Sequence, residues 1–125
     1  MRRELLYLRD IVEAAETIHR FLDGVARNDF LRNDLLGSAV LQKLIVIGEA
    51  AARLPRDFRD QHSEIEWLDI IAFRNIAVHA YFSIDWEIVW ITATLDVPAL
   101  KLDVLNILVG LDAVSELPKS DEDAQ

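Results

Sequence analysis

At 125 residues, 52% of them apolar, the chain is the size of one domain with one real core, and at this length oligomerisation is a common supplement. It has no cysteine, which excludes disulfides, thiolate catalysis and zinc ribbons and suits a reducing cytosol. The net charge of −9 is uneven: residues 1–74 hold 11 basic against 13 acidic side chains, whereas residues 75–125 hold 2 against 9, a poor match to nucleic-acid phosphate.

The chain opens with MRRELLYLRDIVEAAETIHRF, where Arg9, Asp10, Glu13 and Glu16 interrupt the apolar residues. That pattern is an amphipathic helix rather than a signal peptide. No segment reaches 18 uninterrupted apolar residues, so a soluble cytoplasmic protein is expected. Leu5, Leu8, Ile11, Val12, Ala15, Ile18, Phe21 and Leu22 recur at three- and four-residue steps and predict a first helix. Gly24 and the polar run ARNDFLRND break it, with one short turn around Phe30. A second helix takes Leu35 to Ala51 and is closed by Pro55. Gly48 sits inside this pattern at a cost of about 1 kcal/mol against alanine, which close approach of another helix would explain.

The connector PRDFRDQHSEIEW reads as irregular, with Ser63 a candidate N-cap and Glu66 three residues on. A third helix runs from Trp67 to about His79, and Tyr81 to Ser83 form a turn. Asp85 or Ser83 caps a fourth helix through Trp86, Val89, Trp90 and Leu95. Pro98 suits the first turn of a fifth, which carries Leu102, Leu105 and Leu108. The expected fold is an all-α bundle of four to five helices over residues 1–114, followed by an acidic, disordered tail over residues 115–125.

Glu16 and His19 form an E-x-x-H pair, one half of a pattern used in di-iron bundles, but the chain has no second copy. His19 therefore reads as a surface residue and His62 as a solvated one. Phosphate-cradling glycine loops, a nucleophile elbow and the H-E-x-x-H zinc motif are all absent. Trp67, Trp86 and Trp90 fall among aliphatic neighbours and read as core or interface.

Polar groups inside the apolar stretch IAFRNIAVHAYFSIDW hold the remaining chemistry. Arg74 and His79 are five residues apart and point about 140° away from each other on one helix. Asn75 and His79, four apart, share a face, so Asn75 is placed to bond one ring nitrogen and set the tautomer. An imidazole can take a proton from a ribose 2′-hydroxyl or give one to a leaving oxygen, and a guanidinium can grip the scissile phosphate. The spacing alone does not separate this reading from polar groups on a packing helix.

The run R74-N-I-A-V-H79-A-Y81 resembles the R-x4-H-x-Y signature of HepT-like toxins of the HEPN superfamily, which pair with MntA-type minimal nucleotidyltransferase antitoxins. The blocks LRDIVEAAETIHRFLDG, AVLQKLIVIGEAAARLP and TLDVPAL resemble that family in the same order, so the likeness covers roughly residues 5–111. It implies a HEPN bundle that forms a homodimer, with the motif helices facing across a two-fold axis. It further implies a cofactor-free, metal-independent endoribonuclease acting on tRNA or mRNA. Arg74 would hold the phosphate, His79 would act as general acid or base, and Asn75 would support them. Tyr81 would be the position that the antitoxin modifies with AMP. The alternative from another class is a non-catalytic HEPN dimer that binds RNA, nucleotide or the nucleotidyltransferase. Eight of the thirteen basic residues lie between Arg20 and Arg74, leaving room for a local basic patch at the cleft.

Overall fold

A computed structural model describes the backbone of residues 2–115 and the side chains of residues 3–112. It is all-α, with no strand among the described residues. The helices are α1 (Arg2–Leu22), α2 (Arg27–Leu31), α3 (Asp34–Arg53), α4 (Arg56–Gln61), α5 (Trp67–His79), α6 (Trp86–Ile91) and α7 (Val97–Ser115). A 3₁₀ turn spans Tyr81–Ser83 and a π-helical turn spans Thr92–Asp96. The tail expected from residue 115 lies, beyond Ser115, outside the described residues.

The hub is α3, which packs against α1 on one side and α5 on the other, while α7 closes onto α1. Its length and hydropathy match those of a membrane-crossing segment. In this fold the apolar surface serves the bundle instead: Val40, Leu41, Leu44, Ile47 and Ala51 are buried. On α1 the stripe Leu8, Ile11, Ala15 and Ile18 is buried as its period predicts. Asn33 caps α3 by accepting from the Leu36 N–H at 3.0 Å. The short α2 delivers Phe30, which is buried and rests on Trp90 with ring centroids 5.3 Å apart.

The connector differs from its sequence-based description. Residues 56–61 form α4, anchored by the buried Phe58. Six residues with one apolar anchor are too few to show a period. The N-cap position of α5 is Glu66 rather than Ser63, and it makes no side-chain cap bond. Buried Ile65 and Trp67 pull the preceding turn onto the core, and Trp67 Nε1 donates to the His62 carbonyl at 3.0 Å. His62 is accordingly half-buried rather than solvated, its ring 4.6 Å from that of Phe58.

Asp85 is the cap of α6, accepting from the N–H groups of Glu87 (3.0 Å) and Ile88 (3.4 Å). Asp85→Ala should lower stability by about 1 kcal/mol, read as a lower urea midpoint with an unchanged m-value. Pro98 lies in the first turn of α7, as expected, yet the helix does not break before it. The π turn runs directly from α6 into α7, and the wider turn accommodates the missing N–H and the ring of Pro98.

Candidate active site

Arg74 enters the fold where α5 crosses α3. A Cβ on Gly48 would collide with Arg74 Cβ and come within 2.7 Å of its Cγ, so only glycine permits this approach. The next residue on α3, Glu49, then faces the guanidinium: Arg74 Nη1 donates to Glu49 Oε1 at 2.6 Å. On the other side Arg74 Nε donates to Asn75 Oδ1 at 2.8 Å. The Arg74 side chain is only 18% exposed and that of Glu49 is 46% exposed, so the pair sits at the mouth of the helix crossing. Two of the five guanidinium N–H donors are engaged there, which fixes the fork and leaves the others for an anion.

Asn75 thus orients Arg74 and makes no hydrogen bond to His79 among the described residues. The expectation that Asn75 sets the imidazole tautomer is corrected: the adjacent arginine Nε reaches the amide oxygen first. His79 is the last residue of α5 and is exposed. The chain then turns through Ala80 into the 3₁₀ turn, with Ala80 N–H bonded to the Ile76 carbonyl at 2.8 Å. Tyr81 lies just past the helix end. Its hydroxyl is 3.1 Å from Ser38 Oγ on α3, and its ring stands edge-on to Trp86 at 6.3 Å. The tyrosine remains 41% exposed.

One face of α5 is left uncovered. Leu68, Ala72, Asn75, Ile76 and His79 follow one another at helical spacing, and all are exposed. Phe82, fully exposed, extends this strip beyond the helix. The helix is apolar on all sides, a composition expected of one with neighbours on all sides. Within one chain, therefore, Arg74 is braced at the α3 crossing while His79 stands on a bare, largely apolar strip.

The residues set aside as metal candidates have other surroundings. Glu16 pairs with Lys101 at 3.5 Å, joining α1 to α7, and His19 is exposed on α1. Glu49 is the partner of Arg74 that sequence patterning passed over. Its signal is positional: it follows Gly48, the glycine in the middle of α3, where a second helix must come close.

These features define an all-α bundle of HEPN type with an arginine–histidine motif at the mouth of a helix crossing. The family model described as "Ribonuclease HepT-like" matches residues 11–107, and the chain belongs to that family. The "Probable ribonuclease HepT" of Thermococcus cleftensis is 40% identical over 95 residues, which cover 76% of this chain and 86% of that protein. A Caldanaerobacter subterraneus protein named "Putative RNase" is 33% identical over 102 residues, 82% of this chain and 91% of that protein. A Methanocaldococcus jannaschii protein named "Gamma-glutamylcyclotransferase and putative RNase" is 33% identical over 113 residues. There the match takes in 90% of this chain and about half (51%) of the longer relative. No solved structure matches the chain significantly.

Proposed function

We propose that this chain is a metal-independent endoribonuclease, the toxin of a toxin–antitoxin pair, acting as a homodimer with Arg74 and His79 at its cleft. The observation that carries the proposal is the braced arginine: Glu49 and Asn75 hold its fork beside an exposed imidazole-bearing strip. Arg74 and His79 diverge within one helix. A two-fold axis along the uncovered strip of α5 brings both residues of two chains around one cleft, and it buries Leu68, Ile76 and Phe82.

In that cleft one imidazole takes the proton of a ribose 2′-hydroxyl. The 2′-oxygen bonds to the adjacent phosphorus, the bond to the 5′-oxygen breaks, and the second imidazole protonates that oxygen. The products are a 2′,3′-cyclic phosphate and a 5′-hydroxyl. The free N–H groups of Arg74 meet the charge that builds on the phosphoryl oxygens. Arg53, exposed one turn beyond Glu49 on α3, adds positive charge along the same side of that helix. A cytoplasmic location goes with an RNA substrate.

Regulation by a nucleotidyltransferase partner is part of the same proposal. The Tyr81 hydroxyl would attack the α-phosphorus of ATP, releasing pyrophosphate and leaving AMP on the ring oxygen. The hydroxyl is reachable on a half-exposed ring, and its bond to Ser38 is the only one to give up among the described residues. AMP there places negative charge and bulk where RNA phosphate must lie.

Purified protein should cut labelled RNA in the presence of EDTA and sediment as a dimer. Protection of the RNA by EDTA would overturn the metal-independent chemistry, and no cutting in any buffer would favour the non-catalytic dimer. After co-expression with a minimal nucleotidyltransferase, mass spectrometry should find added AMP on Tyr81. The Tyr81→Phe protein should stay unmodified and escape neutralisation, and AMP on another residue would contradict this.

A further inference from the structure

On the side of α5 away from the motif strip, the helix does not close against α7. A cavity of about 460 Å³ lies between α5, the π turn and the start of α7. Its floor is apolar, formed by Leu44 and Ile47 of α3, Phe73 of α5 and Leu100 of α7. Its walls carry five carboxylates: Glu64, Glu66 and Asp69 on one side, Asp96 and Asp103 on the other. No lysine, arginine or histidine lines it. Only Glu64 has a basic side chain nearby, the His62 ring with Nδ1 at 3.9 Å, and the other four make no ion pair among the described residues.

We infer that this groove is a docking site for a basic, amphipathic helix of a partner protein. An apolar floor between two acidic walls is complementary to a helix with aliphatic side chains on one stripe and lysine or arginine beside it. Scale favours a helix. Asp96, at the end of the π turn, and Asp103 on α7 are seven residues apart, about 10 Å along the continuous helix, which matches cations two turns apart on a docked helix. The π turn contributes Thr92 and Asp96 to the wall, so the local widening at Pro98 also shapes the groove. RNA is repelled by these walls, and a net charge of −9 on each copy disfavours a second copy as the occupant. The groove and the His79-bearing strip are separate faces of α5: Asp69 and Phe73 line the one, and Leu68, Ala72, Ile76 and His79 the other.

The test uses a fluorescein-labelled model helix of leucine and lysine, about 18 residues long so that it folds alone, and a leucine–glutamate helix of the same pattern. Fluorescence anisotropy should show saturable binding of the lysine helix only. The pair Asp96→Asn and Asp103→Asn should weaken it about tenfold or more, and Ala99→Trp, which fills the groove from an exposed lining position, should do the same. Asp10→Asn with Glu13→Gln, which removes equal charge from the exposed side of α1, should leave binding unchanged. Equal weakening by both carboxylate pairs, or equal binding of the glutamate helix, would overturn the assignment. So would a dimer that Ala99→Trp dissociates, because the groove would then be an interface between copies. RNA cutting, read in the same preparations, should be unchanged in every groove variant, so failure here is distinct from failure of the nuclease proposal.

Discussion

His79→Ala should leave a folded helical dimer whose RNA cleavage is reduced by about 10²–10⁴-fold, the usual contribution of a positioned acid–base group. The side chain is exposed at the end of α5 and makes no hydrogen bond among the described residues, so stability should move by no more than about 0.5 kcal/mol. Arg74→Ala should cost about 10²–10³-fold through loss of charge stabilisation. It also releases Glu49, whose half-exposed carboxylate can return to water, so the stability change stays near 1 kcal/mol. Arg74→Lys should not rescue cutting: one ammonium cannot hold Glu49, Asn75 and a phosphate in a planar fork. Circular dichroism and sedimentation on the same samples separate lost chemistry from lost structure. Normal cutting by both alanine variants would remove Arg74 and His79 from the mechanism.

Gly48→Ala should be harmful to both stability and activity, against the ordinary preference of helices for alanine. In an open helix the exchange gains up to about 1 kcal/mol. Here the new methyl would overlap the Cβ of Arg74, an atom fixed to the α5 backbone, so the two helices must separate. Overpacking of this kind costs about 1–3 kcal/mol, enough to outweigh the propensity gain. Separation also shifts the guanidinium relative to Glu49, and a displacement near 1 Å can cost about 100-fold in rate. Gly110→Ala on α7 is the matched control. Nothing lies within 4 Å of its added Cβ, so it should stabilise by about 0.5–1 kcal/mol and leave cutting intact. A Gly48→Ala protein more stable than its parent would contradict the tight crossing.

The long helices were legible in the sequence because each repeats apolar residues along one face, as Leu8, Ile11, Ala15 and Ile18 do on α1. Gly48 advertised a close helix contact, and the contact turned out to be with the motif arginine itself. The α4 helix was not legible, since its placement depends on one residue, Phe58, reaching a core formed by distant segments. His62 misled for a related reason: polar neighbours in sequence say nothing about the Phe58 ring that covers it in space. At the candidate site, residue types and the family likeness pointed to Arg74, Asn75, His79 and Tyr81, but periodicity cannot report a pairing across 25 residues such as Glu49 with Arg74. Asn75 was assigned to the wrong neighbour because helical spacing favours its i+4 partner, whereas a long flexible arginine can fold back onto the residue beside it. The acidic groove escaped for the same reason. Its walls come from segments 27 or more residues apart, between Asp69 and Asp96.

The most direct test of the central claim is the chemistry of the cut ends. RNA incubated with the protein in EDTA should yield fragments ending in 2′,3′-cyclic phosphate with 5′-hydroxyl partners, and His79→Ala should yield neither. Fragments carrying 3′-hydroxyl and 5′-phosphate ends, or cleavage that survives loss of His79, would contradict it.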